Sequence, residues 1–423
     1  MTIQKHVDDP IQARFEASLM NAWLSPEVQT EVERCRRLFF EHPLSKLPEA
    51  EATLERSLGE TTRSVLDWIV NGDPFRPATV WMQTPPHRWF GVDFKGDRWG
   101  IDNPDNLYGY ACIEDRSRYV VRGKMREPAL SEFTLTVMER GGPYPDAFPH
   151  SACCLTADQI VTEMDGSFLV TVDSQAANGR SNHMRTTAGT VGLLQRYSFG
   201  DWTHEMIPHL SVERVGGPPM PPEPANDEWV RQAVEKLRSF FPAMIDFLFK
   251  ASYRKDANQI GTASPTPGGL LTQMTSFGHF HVHDDEALIL RIDPVGAGYL
   301  GFQLYDHWGI GMEYVSATGS LNHAQAALDN DGNYRLVISP TDPGVQNWVD
   351  TERLHAGGML VRWQSLPFAP KAMEGIIDSK LVKLSRLMNE LPADTPLFSA
   401  EDRRRQIQQR EQGYARRIGM LRG

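Results

Sequence analysis

The sequence predicts a mainly β protein with helical additions. It reads as two tandem, internally repeated β domains, with helices at the N-terminus, between the halves and at the C-terminus. Three observations predict this. Short runs that alternate apolar and polar residues, set off by Gly, Pro, Asn and Asp, fill two blocks at about 75–215 and 270–365. The stretches outside those blocks space their apolar residues as amphipathic helices do. The two blocks also match each other at a nearly constant offset.

In chain order, residues 10 to about 72 read as helices. "DPIQARFEASLMNAWL" follows an Asp-Pro start. "SPEVQTEVERCRRLFFEH" has Ser25 to cap it and Pro26 at its first helical position. "LPEAEATLERSLGETTRSVLDWIVNG" stops at Asn71-Gly72. The runs "RYVVRGKM", "EFTLTVMER", "GSFLVTVDS" and "VGLLQRYSF" then read as strands. "RVGGPPMPPEPANDEW" is a Pro/Gly linker, and the helical stretch after it carries Pro242, which should kink or divide it. A second strand block follows, and 372–422 reads as a helical tail. The expected boundaries are 1–95 (helical), 96–215 (first β repeat), 216–265 (linker and helices), 266–368 (second β repeat) and 369–423 (helical tail).

The repeat rests on three patches. "LTADQIVTEMDGSFLVTV" from Leu155 matches "LNHAQAALDNDGNYRLVI" from Leu321, Asp165-Gly166 falls on Asp331-Gly332, and "GLLQRY" from Gly192 falls on "GMLVRW" from Gly358. Asn182 and Thr187 pair with Asn347 and Thr351 after a small insertion and deletion. The Asp-Gly pairs read as turns entering a strand. Arg196 and Arg362 end equivalent strands; each either pins a carboxylate within its own half or faces a ligand.

"DDEALILRIDP", "YLGFQLYDHW", "SLNHAQAALDNDGNYRLVIS" and "DPGVQNWVDTERLHAGGMLVRW" resemble the DUF1214 domain family over residues 286–363. The matching positions are Gln325, Asp331, Gly332, Asp342, Pro343, Gly344, Asn347, Trp348, Asp350 and Arg362. The resemblance implies a jelly-roll-like antiparallel β-sandwich and implies no activity. The His-rich stretch before Glu286 lies outside it.

Composition narrows the function. Hydrophobic residues make up 40% and charged residues 23%, an ordinary globular balance. The net charge of −11 argues against nucleic acid or an anionic membrane as the main partner. The first twenty residues lack the apolar core of a signal peptide, and no apolar run is long enough to span a bilayer. Cys35, Cys112, Cys153 and Cys154 show no CxxC spacing and read as reduced thiols of a cytoplasmic protein. Walker, GxGxxG, HExxH and GxSxG motifs are absent, which disfavours nucleotide, Rossmann-redox, thermolysin-type and α/β-hydrolase chemistry.

Four stretches have residues suited to chemistry. In "GHFHVHDDEALILRID", read as one strand over 278–293, Phe280, Val282, Leu288 and Leu290 face the core, and His279, His281 and His283 share the other face. That row suits acid–base or hydrogen-bonding work, a divalent metal with a further ligand, or a solvated face. "YDHWGIGMEYVSATGSLNH" gathers Tyr305, His307, Trp308, Glu313 and Tyr314, which suit a hydroxylated ring or a Trp closing the sandwich end. "SPTDPGVQNWVDTERLH" holds Asn347, Trp348 and Asp350 after a turn, and its repeat partner has Asn182, His183 and Arg185. "WGIDNPDNLYGY" sets Asp102, Asn103, Asp105 and Asn106 around Pro104 as an Asx-turn loop or a carboxylate site.

Two functions follow as expectations. The first is a cytoplasmic, non-redox, nucleotide-independent enzyme, a lyase, hydratase or hydrolase acting on a small ring-containing or hydroxylated molecule. His281 and His283 serve as acid or base there, partnered by Asp306, Glu313 and His323. His279, Tyr305, His307, Trp308, Asn347, Trp348, Asp350 and Arg362 contact the substrate. No cofactor is expected, a divalent metal on His279, His281 and His283 being the lesser alternative. The second is a non-catalytic carbohydrate- or small-molecule-binding or scaffold protein. Either form can pair with a second copy through the C-terminal helical tail.

Overall fold

Residues 10–89, 92–141, 148–223, 226–266, 269–366 and 371–418 are described by the computed structural model. The first nine residues, part of the Pro/Gly linker and the last five residues of the tail lie outside the described residues. Helices α1 (Pro10–Trp23), α2 (Pro26–Glu41) and α3 (Leu54–Val70) form where the apolar spacing places them. Ser25 caps α2 by accepting from Val28 N at 3.4 Å, with Pro26 at the first position. Three short strands also precede residue 95: β1 (Val80–Met82), β2 (His87–Trp89) and β3 (Val92–Phe94).

The first half continues with β4 (Asn106–Ala111), β5 (Arg118–Lys124), β6 (Glu132–Glu139), β7 (His150–Thr156), β8 (Ser167–Asp173), β9 (His183–Arg185), β10 (Thr190–Ser198) and β11 (His209–Gly216). They form a larger sheet of order β1-β4-β10-β6-β7 and a smaller one of order β11-β5-β8-β9. Helix α4 (Asn226–Leu248) leads to the second half. That half has β12 (Gln259–Ile260), β13 (Ser264–Pro265), β14 (Gln273–His281), β15 (Glu286–Ile292), β16 (Tyr299–Tyr305), β17 (Ser320–Asn322), β18 (Tyr334–Ser339), β19 (Trp348–Asp350), β20 (Ala356–Gln364) and β21 (Ile376–Lys383). Its larger sheet runs β12-β14-β20-β16-β17 and its smaller sheet β19-β18-β15-β21.

The two halves therefore share one strand order. Each smaller sheet also contains the same exception to antiparallel pairing: β8 with β9, and β18 with β19, are parallel. Side chains confirm the equivalence. Asn182 accepts from Val161 N at 2.8 Å and donates to Val161 O at 2.7 Å. Asn347 accepts from Ala327 N at 2.7 Å and donates to Ala327 O at 2.7 Å. Gly192 and Gly358 take the same place on the two central strands. An added Cβ would strike the Tyr110 hydroxyl at 2.1 Å in one half and the Tyr305 ring at 2.0 Å in the other. Each glycine lets a tyrosine lie flat on the sheet.

Alternation explains the cores. Val121, Leu135, Val137, Val170 and Leu193 fill the first sandwich, and Phe280, Leu288, Leu290, Ile338 and Trp363 fill the second. Three expectations need correction. Residues 278–293 are not one strand: β14 and β15 belong to different sheets, joined by a turn over 282–285. Phe280, Val282, Leu288 and Leu290 still face one core because the two sheets face each other. Pro242 does not divide α4, whose Leu237, Phe240, Phe241, Met244 and Leu248 are buried on both sides of it. Tertiary packing there outweighs the lost backbone bond. The stretch read as a helical tail begins with strand β21, which completes the second smaller sheet. Only then come α5 (Leu387–Glu390) and α6 (Ala400–Arg417).

The seam between the halves is polar and buried. Asp105 accepts from Trp202 Nε1 at 2.8 Å, Asn322 Nδ2 at 2.8 Å and Tyr299 Oη at 2.6 Å. Ile101 N donates to Gly309 O at 2.7 Å, and Gly311 N to Asp102 at 2.8 Å. Helix α6 straps this seam with a basic face. Arg417 lies over the Trp202 ring at 4.0 Å and donates to Pro104 O, and Arg410 donates to Tyr314 O at 2.7 Å. The buried face of the tail is thus used within the chain. Asp105→Ala leaves these buried donors and cations uncompensated and is expected to cost about 3–5 kcal/mol in urea unfolding. A loss below about 1 kcal/mol would show that the seam does not depend on it.

Candidate ligand-binding site

Each larger sheet packs one face on its smaller partner and turns the other outward. In the first half the outward side chains are Asn106, Tyr108 and Tyr110 on β4, Leu194 and Arg196 on β10, and Met138 on β6. In the second they are Gln273, Thr275 and Phe277 on β14, and Leu360 and Arg362 on β20. All of them line one cavity of about 490 Å³. Helix α3 adds Trp68, α4 adds Met244 and Phe247, and the loop before β4 adds Trp99 and Ile101. Lys250 and Asp246, ion-paired and half exposed, stand at the rim.

Aromatic contacts build the wall. The Trp68 and Trp99 rings meet edge to face at 4.9 Å, and Phe148 is stacked on Trp99 at 6.1 Å with an interplanar angle of 6°. The outward faces of both larger sheets mix aromatic and aliphatic side chains with Asn106, Arg196, Gln273, Thr275 and Arg362. Helices α3 and α4 cover them without filling the gap, and a lined cavity results.

Two guanidinium groups reach this space from equivalent positions. Arg196 sits on β10 opposite Tyr108 of β4, and Arg362 on β20 opposite Thr275 of β14. Their environments differ. Arg362 donates to Gln303 Oε1 and to the Ile101 carbonyl. Arg196 makes no hydrogen bond or ion pair among the described residues, and its Nη1 is buried without a partner. Burial pulls both guanidinium pKa values down. Trp99 Nε1 and Asn106 Oδ1, also buried in the lining, lack partners. By contrast, Tyr110 Oη donates to Val191 O at 2.8 Å, and Tyr108 Oη accepts from Asn103 N at 3.1 Å.

Of the residues singled out from sequence, Arg362, its repeat partner Arg196 and Asn106 line the cavity. The proposed acid–base set is dispersed. His281 ends β14, half-buried, with its ring 5.4 Å from that of His283, which is exposed in the turn and donates its backbone N–H to Glu286 Oε2. Asp306 is buried and holds Ser57 Oγ, Arg56 and the backbone N–H groups of Trp308 and Ile310. Glu313 closes a local turn by accepting from Val315 N and Ser316 N. His323 accepts from Leu300 N at 3.4 Å at the seam.

The expected binding residues are structural in the same way. Trp308 packs on Phe39 and donates to Ala50 O at 3.0 Å, closing the sandwich end against the helices. Tyr305 is hydrogen-bonded to Ser252 at 2.5 Å. Asn347 pins the segment around Ala327, and Trp348 donates to Ser339 O at 3.1 Å beneath Arg403. Asp350 accepts from Glu352 N at 2.9 Å. His279 bonds the Ser252 carbonyl at 3.0 Å, and His307 is stacked on Tyr253 at 5.4 Å. Among the described residues no group of three His, Cys, Asp or Glu side chains is placed to hold a metal ion. In the stretch with Asp102, Asn103, Asp105 and Asn106, the first three bond across the seam and Asn106 lines the cavity.

The residues missed by sequence reasoning are chiefly aromatic: Trp68, Trp99, Tyr108, Tyr110, Phe148 and Phe277. One signal was available. "NLYGYA" carries large side chains on both faces of a strand, and all six of its residues are buried, as no sheet open to water on one side would have them.

His307 generates a test of its own. It is buried with both ring nitrogens unpartnered, and burial pushes its pKa down to about 4. A free imidazole titrates near 6.5. The unfolded chain therefore takes up this proton first, and stability present above about pH 6.5 is lost as pH falls toward 4. His307→Phe is expected to remove about 2–3 kcal/mol of the stability lost between pH 7 and pH 4.5, read by urea unfolding at both values. An unchanged acid loss would show that His307 does not carry it.

No family model matches the chain, and no curated protein matches it. Among solved structures, an uncharacterized protein from Burkholderia cenocepacia superimposes with a TM-score of 0.69 at 20% identity, over 89% of this chain and 98% of that one. The VPA0106 protein from Vibrio parahaemolyticus gives a TM-score of 0.43 at 10% identity, over 67% of this chain and 90% of that one. The chain is thus similar in fold, over nearly its whole length, to the Burkholderia cenocepacia protein, and that likeness shows the fold alone.

Proposed function

We propose that this protein binds a small, largely apolar or aromatic organic molecule in the cavity between its two β-sandwich halves. The observation that carries this is the cavity itself: about 490 Å³, walled by the outward faces of both larger sheets and by Trp68 and Trp99. That volume suits a drug-sized ligand, and apolar walls with a few buried polar groups are what such sites use. The binding reading is preferred to the acid–base enzyme because His281, His283, Asp306, Glu313 and His323 all lie outside the lining.

Among the described residues no helix is long and apolar enough to cross a membrane. The four cysteines are free, and burial pushes the Cys35 thiol up to about 12, so it stays protonated and unreactive. Free thiols suit a reducing compartment such as the cytoplasm.

N-Phenyl-1-naphthylamine, a neutral aromatic dye, tests the reading by its fluorescence gain on binding. It is expected to bind the wild-type protein and to lose about tenfold or more in affinity in Leu194→Trp, which fills the cavity from β10. Equal binding to both proteins, with the variant's melting temperature retained, would place the dye elsewhere and overturn the proposal.

A further inference from the structure

Duplication sets a physical puzzle in the cavity. Two arginines occupy one register position in two copies of one strand, yet only one of them is satisfied. Arg362 spends its Nη1 on Gln303 and its Nη2 on the Ile101 carbonyl, so it ties β20 to β16 and to the loop before β4. Arg196 has no such tie among the described residues, and its Nη1 is buried and unpartnered.

A partly buried guanidinium that faces an apolar cavity with neither a hydrogen-bond partner nor an anion is costly, and a ligand anion would relieve that cost. The neighbouring carboxylate does not relieve it. Glu132 takes hydroxyl bonds from Thr272 at 2.9 Å and Ser365 at 3.0 Å on Oε1, and although its Oε2 is buried without a partner it makes no ion pair with Arg196. Burial moreover raises its carboxyl pKa. At the rim, Lys250 and Asp246 neutralise each other. One unspent cation is left facing an apolar space.

From this geometry we infer that the ligand is a monocarboxylate with an apolar or aryl body, and that Arg196, not its repeat partner Arg362, receives the carboxylate. This rests on the cavity being the binding site. The planar guanidinium fork matches a carboxylate with two parallel hydrogen bonds. Trp99 Nε1 is a second unspent donor in the same lining, and the aromatic wall and the leucines of β10 and β20 hold the body. A second anionic group would have to displace Arg362 from Gln303 and the Ile101 carbonyl, or Lys250 from Asp246. The divergence of the two copies thus gave the pseudo-symmetric cavity one polar end.

Decanoate and decanol, which share one body, separate the headgroup from the cavity in calorimetric titrations. Wild-type protein is expected to bind decanoate at least about tenfold more tightly than decanol. Arg196→Met is expected to weaken decanoate about 30-fold while leaving decanol unchanged or tighter. Without ligand, the variant should melt at or above the wild-type temperature, because an unpaired buried charge has been removed. Decanoate binding unchanged in Arg196→Met, or decanol bound by wild type as well as decanoate, would overturn the assignment and leave the cavity reading standing. Failure of both probes to bind the wild-type protein would overturn both. A melting temperature lowered by several degrees would show that Arg196 is already satisfied within the fold.

Discussion

The buried carboxylate of Asp105 is the constraint on which the rest of this structure depends. It collects an indole N–H from the first half and an amide and a phenol from the second, so the halves are registered through one side chain. Its charge is tolerable because the seam is lined with cations: Arg410 and Arg417 of α6 both lie against the Trp202 ring. Arg98 adds to this by pairing with Glu60 of α3 at 2.7 Å and donating to Gly311 O at 3.0 Å. Helical layer, first sandwich and second sandwich are thereby fixed relative to one another by bonds made in low dielectric, where geometry matters most.

Fixing the seam also fixes the cavity. Two sheets that must each cover an outer face are held at an angle set elsewhere. The helices between them close most of the gap and leave about 490 Å³ unfilled. The repeated halves supply both walls from equivalent strands, and the two copies differ in what their arginines do. Arg362 is bonded as a strut, and Arg196 has no bond among the described residues. Gly192 and Gly358 show the opposite behaviour, since both copies still need room for a tyrosine ring.

Much of the fold was legible in the sequence because its signals are local. The offset that relates Gly192 to Gly358 is borne out strand for strand, and the paired Asn182 and Asn347 brackets show how fine the correspondence is. The single-strand reading of 278–293 failed because alternation looks the same along one strand and across a tight corner between two facing sheets. Strand β21 was hidden because "IIDSKLVK" is mostly exposed and amphipathic in neither period. The site was less legible. Histidines and carboxylates attract notice in sequence, but His279 and Asp306 here serve packing and capping. The cavity lining comes from many separate segments whose aromatic residues look like ordinary core until the two sheets face each other. Arg362 and Arg196 were visible through the repeat alone.

The most direct measurement is a crystal structure of the protein exposed to bromobenzene, with the bromine located by its anomalous signal. The account predicts a bromine peak between β10 and β20, against the Trp68–Trp99 wall, with the two sheets unmoved. A cavity holding only ordered water, with bromobenzene seated elsewhere on the molecule, would contradict it.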